Sequence, residues 1–258
     1  MFGEDENLST TRVRLRTIDR RSVAEELLIT PDELAHRAVL VKADVFPVNS
    51  LLEALATSTP WLIIWREHRA WKTGVWRCEI NGEDEFRGHQ PNHVPFHTDM
   101  SRYLHPPQFT AIRCVKNDTG MKGAGANLII HINDVLKRLE QLSRFDLLDV
   151  LYRPRRLNVS NKEQPLISIV PNSVQDGVVR IFDQKAATKG EHFELSNEER
   201  VLLDELVILC DSWKDLILSV SLRPGDWIIF SNHRFLHARS VCSGLGRVTE
   251  VCLGNRKA

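Results

Sequence analysis

The chain has no excess of charge of either sign: 34 Lys and Arg balance 34 Asp and Glu. A protein whose main partner is nucleic acid or an anionic membrane usually shows a basic excess, so neither is expected as a partner. No apolar run approaches the roughly 18 residues of a membrane span. The opening MFGEDENLSTTRVRLRTIDRR lacks the apolar core of a secretory leader. The five cysteines, Cys78, Cys114, Cys210, Cys242 and Cys252, are odd in number and never stand as C-x-x-C. A disulfide framework and a cysteine zinc site are therefore not expected, and the thiols read as reduced and buried in a cytoplasmic protein. Linkers, internal repeats and low-complexity segments are missing as well. What remains is a single domain over residues 1–258, with polar residues 1–15 fraying at its start.

Apolar content of 42% and charged content of 26% are those of an ordinary globular chain. TPDELAHRAV from Thr30 carries helix-start signals: a capping Thr, Pro31 in the first turn and acids behind it. NSLLEALATS reads as a second helix and PWLIIW as a buried strand. QFTAIRCV and GANLIIHI are strand-like, and the latter runs into NDVLKRLEQL, where Asn133 or Asp134 can cap a helix. Ser196-x-x-Glu199 is a capping box ahead of an apolar-periodic helix. LILSVSL, RPGD and DWIIFSN read as strand, tight turn and strand, and RVTEVCLGN as a final strand. The pattern predicts an α+β domain built on a β-sandwich or barrel, with helices packed outside.

PFHTDM places His97 and Asp99 two residues apart, where a strand projects both side chains to one face. A lone His-x-Asp is commonly accidental. A third candidate gives it weight: His237 in PGDWIIFSNHRFLHARS, just past a strand that a Pro-Gly-Asp turn launches. Two imidazoles and one carboxylate leave three positions of an octahedral metal open, which suits non-haem Fe(II) that must take oxygen and a co-substrate together. Arg247 follows His237 by ten residues. A planar guanidinium, permanently charged, pairs bidentately with the far carboxylate of a dicarboxylate co-substrate.

These stretches resemble the Fe(II)/2-oxoglutarate-dependent oxygenases of the TauD/TfdA-like superfamily, nearest the clavaminate-synthase-like branch. The resemblance rests on VPFHTDMSRYLHPPQFTAIRCVKND, GAGANLIIHINDVLKRL and RPGDWIIFSNHRFLHARS, and covers roughly Pro91 to the C-terminus. It implies a double-stranded β-helix (jelly-roll) core with flanking helices and a metal site of His97, Asp99 and His237. It also implies 2-oxoglutarate held at iron by its keto and C1 carboxylate groups and at Arg247 by its C5 carboxylate. The chemistry it implies consumes O2, converts 2-oxoglutarate to succinate and CO2, and hydroxylates a C–H bond; desaturation, epoxidation and cyclisation are variants of it. Asp99 excludes a halogenase, which needs a small residue there. Two departures stand out. Asn127 takes the place of the usual co-substrate Thr, and the spacing to Arg247 is short, so Arg239 and Arg256 are alternatives to it.

Enzymes of this kind often take free amino acids or their derivatives in natural-product pathways, which implies a small-molecule, amino-acid-like partner. Ser101, Arg102, Asp183 and Arg239 are the candidate substrate contacts, and GVWRCEINGEDEF is a candidate lid. A non-catalytic small-molecule binder and a zinc hydrolase are the competing classes. O2-dependent succinate formation separates them.

Overall fold

The computed structural model describes residues 14–19, 27–45, 50–68, 71–82, 87–157, 162–169, 177–181 and 194–257. In chain order the elements are β1 (Arg14–Ile18), α1 (Pro31–Leu34), β2 (Arg37–Val41), α2 (Leu51–Ser58), β3 (Leu62–Ile64), β4 (Trp76–Glu79), β5 (Val94–His97), β6 (Phe109–Lys116) and β7 (Asn127–His131). There follow α3 (Ile132–Gln141), α4 (Phe145–Tyr152), β8 (Arg155–Leu157), β9 (Lys162–Gln164), β10 (Ile167–Ile169) and β11 (Gly177–Val179). The last are α5 (Asn197–Ser212), β12 (Leu218–Val220), β13 (Trp227–Ser231), β14 (Phe235–Arg239) and β15 (Val248–Arg256).

Two sheets dominate. The larger runs β1-β2-β13-β6-β15-β3, with β4 beside β3 on the same edge of β15; the smaller runs β12-β7-β14-β5. Every pairing is antiparallel except β1 with β2. Strand alternation sorts the side chains into layers. Ile228 and Phe230 of β13 meet Ile112, Cys114, Ile129 and Phe235 between the sheets. Trp227 and Ile229, on the other face of β13, meet Leu34, Leu51 and Leu55 of α1 and α2. Phe96, Ile130 and Leu236 on the outer face of the smaller sheet pack on α3, α4 and α5 through Leu139, Leu147 and Leu206. Helices therefore cover both outer faces, and the space between the sheets holds an apolar core of its own.

Local chemistry explains most boundaries. Thr30 caps α1 through Oγ1, which accepts from Glu33 N, but the helix lasts one turn. RAV behind it, expected to continue the helix, instead opens β2, which is central enough to bury four of its five residues. The apolar run Ala38–Val41, with two valines, suits a strand between two neighbours better than a helix with one wet face. The capping box at Ser196 and Glu199 forms in full. α3 is capped by His131, whose Nδ1 accepts from Asn133 N at 3.1 Å, not by Asn133 or Asp134. PWLIIW is an edge strand with Ile63 exposed, not a buried one. The Pro-Gly-Asp turn works because Gly225 has φ +89° and a Cβ there would lie 2.7 Å from Ala43 Cβ. Asp226 then accepts from Ala43 N, Arg223 N and Lys42 Nζ. The strands on either side of this turn, β12 and β13, belong to different sheets, so the turn carries the chain across the sandwich.

Candidate active site

His97 ends β5 and His237 lies in the middle of β14, and the two are cross-strand partners. Their rings approach to 4.3 Å between centroids. Asp99 comes to them by a route that strand alternation does not predict. The strand stops at His97, and the chain turns. Thr98 N donates to Ile181 O at 2.8 Å, and its hydroxyl donates to Val179 O at 3.0 Å. Asn232, fully buried, grips the next peptide from both sides: its Oδ1 accepts from Asp99 N at 2.8 Å and its Nδ2 donates to Asp99 O and Pro107 O, both at 2.9 Å. Met100 is then held at φ +52°, a left-handed conformation unusual for a non-glycine residue. A turn, not the pleat, aims the carboxylate.

The result is a group of three with one ligand atom each, all within 4.8 Å of one another. His237 Nε2 is 3.5 Å from Asp99 Oδ2, and His97 Nε2 is 3.9 Å from Asp99 Oδ1. His97 Nδ1 lies 2.8 Å from Pro95 O. A carbonyl only accepts, so Nδ1 carries the proton and Nε2 offers its lone pair inward. Burial pushes the His237 pKa down to about 4, with His97 adding to it and Asp99 opposing, so this ring is neutral at physiological pH as a metal ligand must be. Its buried Nδ1 has no partner among the described residues. The Thr110 hydroxyl donates to Asp99 Oδ2 at 2.8 Å. Two imidazoles with Nε2 turned toward one positioned carboxylate fit a divalent iron.

Arg247 stands just before β15 and is buried. Gly125, at φ +65°, packs flat on it: a Cβ there would come within 2.8 Å of the Arg247 Cδ and Nε atoms. Among the described residues no carboxylate or carbonyl accepts from its guanidinium. A cavity of about 460 Å³ opens on it, walled by residues 117–125 with Ser221 and Leu222. Arg239, on β14 and also buried, donates to Gly88 O and Asn92 O at 2.7 Å each and to Gln90 O. Its Nε is buried without a partner among the described residues. Burial lowers its pKa, and the nearby Arg247 cation lowers it further against the pull of Cys242. Asn127 faces Arg239 across the β7–β14 pair, and among the described residues its amide reaches only Val220 O, at 3.5 Å. A buried cation with no ion pair within 4 Å among the described residues, Asp118 being its electrostatic neighbour across the cavity, together with an Nε–H of Arg239 that has no described partner and the Asn127 amide, can make a cradle for a carboxylate.

The remaining candidates are dispersed. Ser101 is buried, and its carbonyl accepts from Arg180 Nη1 at 2.6 Å. The Arg102 guanidinium lies 5.7 Å from the Tyr103 ring centre. Asp183 lies outside the described residues. Arg256 points to Asp32 at 3.6 Å, at the far end of β15 from Arg247, roughly 30 Å away at the rise of a strand. The segment proposed as a lid contributes β4, paired to β15 within the larger sheet. Sequence reasoning did not single out Thr110, Asn232 or Arg180. Arg180 is buried and donates to Ser101 O, Tyr103 O and Leu104 O, holding the loop after Asp99. Nothing local marks these side chains; their partners are 11, 133 and 79 residues away.

Residues 39–253 match the model of the taurine catabolism dioxygenase TauD, TfdA family, and the chain belongs to that family. It is an Fe(II)- and 2-oxoglutarate-dependent dioxygenase. Among solved structures it is similar to an asparagine oxygenase in complex with Fe(II), hydroxyasparagine and succinate (18% identity, 87% of this chain and 75% of that one, TM-score 0.57). A taurine dioxygenase from Burkholderia xenovorans matches at 15% identity over 92% and 83% of the two chains, with TM-score 0.59. PvcB from Pseudomonas aeruginosa matches at 18% over 86% and 78%, with TM-score 0.56. At such identities the likeness is one of fold, and its even spread leaves the branch at the level of the family. No curated protein matches the chain by sequence. Among the described residues no helix is long and apolar enough to cross a membrane.

Proposed function

We propose that the chain is a single double-stranded β-helix domain of a cytoplasmic enzyme that hydroxylates an unactivated C–H bond of a small molecule, an amino acid or amino-acid derivative of a natural-product pathway. In this reading His97, Asp99 and His237 hold the iron, and Arg247 holds the C5 carboxylate of 2-oxoglutarate with help from Arg239 Nε and Asn127. The observation that carries it is the pairing of a three-ligand group with a buried cation whose guanidinium meets no acceptor among the described residues. Bound iron with 2-oxoglutarate supplies the O2 chemistry in which one oxygen atom goes to the substrate and the other to succinate as CO2 leaves. The protein's part is to hold the carboxylate of Asp99 still, to keep His237 neutral, and to offer a dicarboxylate the buried cation of Arg247. The asparagine oxygenase with 3-hydroxyasparagine, and OrfP with 3-hydroxyarginine, are relatives of fold bound to hydroxylated amino acids; they support the substrate class.

The test is an amino-acid panel incubated with Fe(II) and 2-oxoglutarate, with and without O2. The expected result is O2-dependent succinate together with a product heavier by one oxygen. Succinate that forms equally without O2, or oxygen-independent hydrolysis of the panel, would sink the reading.

A further inference from the structure

The β6–β15 pair runs from the metal end of the site to its cation end. Thr110, whose hydroxyl holds the Asp99 carboxylate, pairs with Leu253; further along, Cys114 pairs with Thr249 and Lys116 with Val248. Arg247 stands immediately beyond, where β15 begins. On the other sheet His237 pairs with Ile129, and Arg239 with Asn127 at the start of β7. The cavity on Arg247 is walled by residues 117–125, between β6 and β7, and by Ser221 and Leu222, just after β12. All of these lie past strand ends, and no metal ligand is among them. The space is therefore on the side of Arg247 away from the metal group. A dicarboxylate reaching from iron ends at the guanidinium with this cavity behind it.

The cavity wall carries a fixed negative charge. Asp118 accepts from Gly120 N at 3.0 Å, from Ser243 N at 2.6 Å and from the Ser243 hydroxyl. Gly120 permits this, because a Cβ there would overlap the Ser243 side chain. The rest of the loop is tied down as well: the Ser240 hydroxyl donates to Gly123 O and Gly125 N donates to Val241 O, both at 2.9 Å. Burial raises the Asp118 pKa, but hydrogen bonds from Ser243 and Gly120, and then the Arg247 cation, hold it below the usual carboxylate range. The group is charged at physiological pH. Its donors are Gly120 and Ser243, so it meets the Arg247 charge across the cavity without touching it. Lys122 lines the same wall but is exposed, and a solvated charge on a flexible stem acts weakly at a distance.

We propose that Asp118 sets the affinity for the co-substrate: its fixed charge behind Arg247 repels the distal carboxylate of 2-oxoglutarate, and that of succinate after turnover, so that both can be exchanged. This rests on the reading of Arg247 as the partner of the C5 carboxylate. A buried cation with nothing opposite it would hold any dicarboxylate, product included, with the full strength of a charge-assisted pair. A like charge on the far side of the cation removes part of that attraction. Asp118 touches no reacting atom; it is a positioning charge that acts through the field at Arg247.

The test is anaerobic titration of the Fe(II) protein, read by the metal-to-ligand absorption band. The ligands are 2-oxoglutarate, 2-oxopentanoate (the same chain without the distal carboxylate) and succinate as a displacer of 2-oxoglutarate. Asp118→Asn should tighten 2-oxoglutarate and succinate roughly three- to tenfold and leave 2-oxopentanoate unchanged. Lys122→Gln should move 2-oxoglutarate less, and in the opposite direction. Asp118→Ser keeps an acceptor for Gly120 N at the turn and serves as a second variant, with circular dichroism confirming that each is folded. Unchanged or weaker 2-oxoglutarate binding in the folded variant overturns the proposal. Equal tightening of 2-oxopentanoate overturns it too, since the effect would then lie at the metal. A wild-type protein that shows no band with either acid removes the co-substrate reading and this role together, whereas a normal wild-type band without gain in the variants removes only the role of Asp118.

Discussion

Asp99 and Arg247 are both charged, both set against the same pair of sheets, and kept in opposite conditions. Asp99 is surrounded by protein partners: Asn232 holds its peptide on both sides, Thr110 holds its carboxylate, and Thr98 and Arg180 hold the chain around it. Arg247 is buried with space on one side and no acceptor among the described residues. The difference separates two ways of building a binding site. At the metal end the protein spends its own hydrogen bonds to fix geometry, because a metal tolerates little displacement of its ligands. At the cation end it leaves the charge unmatched, so that the co-substrate completes the pairing and the binding free energy goes to the ligand.

Substitutions break this contrast in graded ways. Replacing His97, Asp99 or His237 by Ala should remove tight Fe(II) binding and turnover together. We expect a loss beyond the roughly 10–100-fold typical of groups one shell further out; anaerobic Fe(II) titration measures it. Near wild-type turnover in His97→Ala would remove that residue from the ligand set.

Arg247→Ala should leave Fe(II) binding alone and weaken 2-oxoglutarate. Removing one partner of a buried charge pair costs about 3–5 kcal/mol, or roughly 100- to 5,000-fold. Arg247→Lys should lose less, since the charge remains and the planar fork does not. Without co-substrate, Arg247→Ala should melt no lower than wild type, because no protein partner is orphaned. Only wild type should gain thermal stability from 2-oxoglutarate. A clear drop in melting temperature for the ligand-free variant would show that Arg247 has a structural counter-ion after all.

Acid should attack the metal end first. Burial pushes the pKa values of His131 and His233, which flank the ligand strands, down to about 4. The unfolded chain takes up these protons near pH 6.5 and the native state does not. Stability is therefore complete above about pH 6.5 and falls as pH drops from there toward 4, by up to roughly 3 kcal/mol per histidine. Denaturant midpoints from pH 7 to pH 4.5 measure this. His131→Phe should flatten the slope, and an unchanged slope in that variant would remove His131 from the account.

Asn232→Ala strips three side-chain hydrogen bonds at once and leaves buried peptide groups unpaired. It should cost about 1–3 kcal/mol of stability and lower Fe(II) affinity roughly tenfold or more. Thr110→Val keeps the shape and removes one hydrogen bond, so about 1 kcal/mol is expected, seen in Fe(II) affinity more than in melting. Equal effects of Thr110→Val and Asn232→Ala on melting would mean that the peptide clamp is not what organises the turn.

Of the fold, the helix caps and turns were legible because their partners are local. Ser196 and Glu199 are three residues apart, and Pro224-Gly225-Asp226 carries its φ requirement in one glycine. RAV, at the end of the expected first helix, was misread because its neighbours decide it: β1 and β13 lie on either side of β2, and a short apolar run looks the same in a helix and in a central strand. The site divides along the same line. His97, Asp99, His237 and Arg247 could be picked out because their residue types name their chemistry. Arg239 could not be sorted, because a guanidinium held by the carbonyls of Gly88, Gln90 and Asn92 looks in sequence like one left for a ligand.

By itself the sequence determined which atoms are present to do the chemistry: two imidazoles, a carboxylate and a guanidinium, with no excess charge to draw nucleic acid. It also determined the local stops and starts that hydrogen bonds over a few residues can set. Tertiary structure alone decided that Asp99 is delivered by a clamped turn and not by strand alternation. It likewise decided that Arg247 meets no acceptor among the described residues while Arg239 is mostly occupied. The physical reason is range. Propensity and capping act within one turn of chain, whereas the hydrogen bonds and contacts that aim Asp99 and isolate Arg247 close loops of up to 133 residues, and such contacts exist only once the sheets have paired.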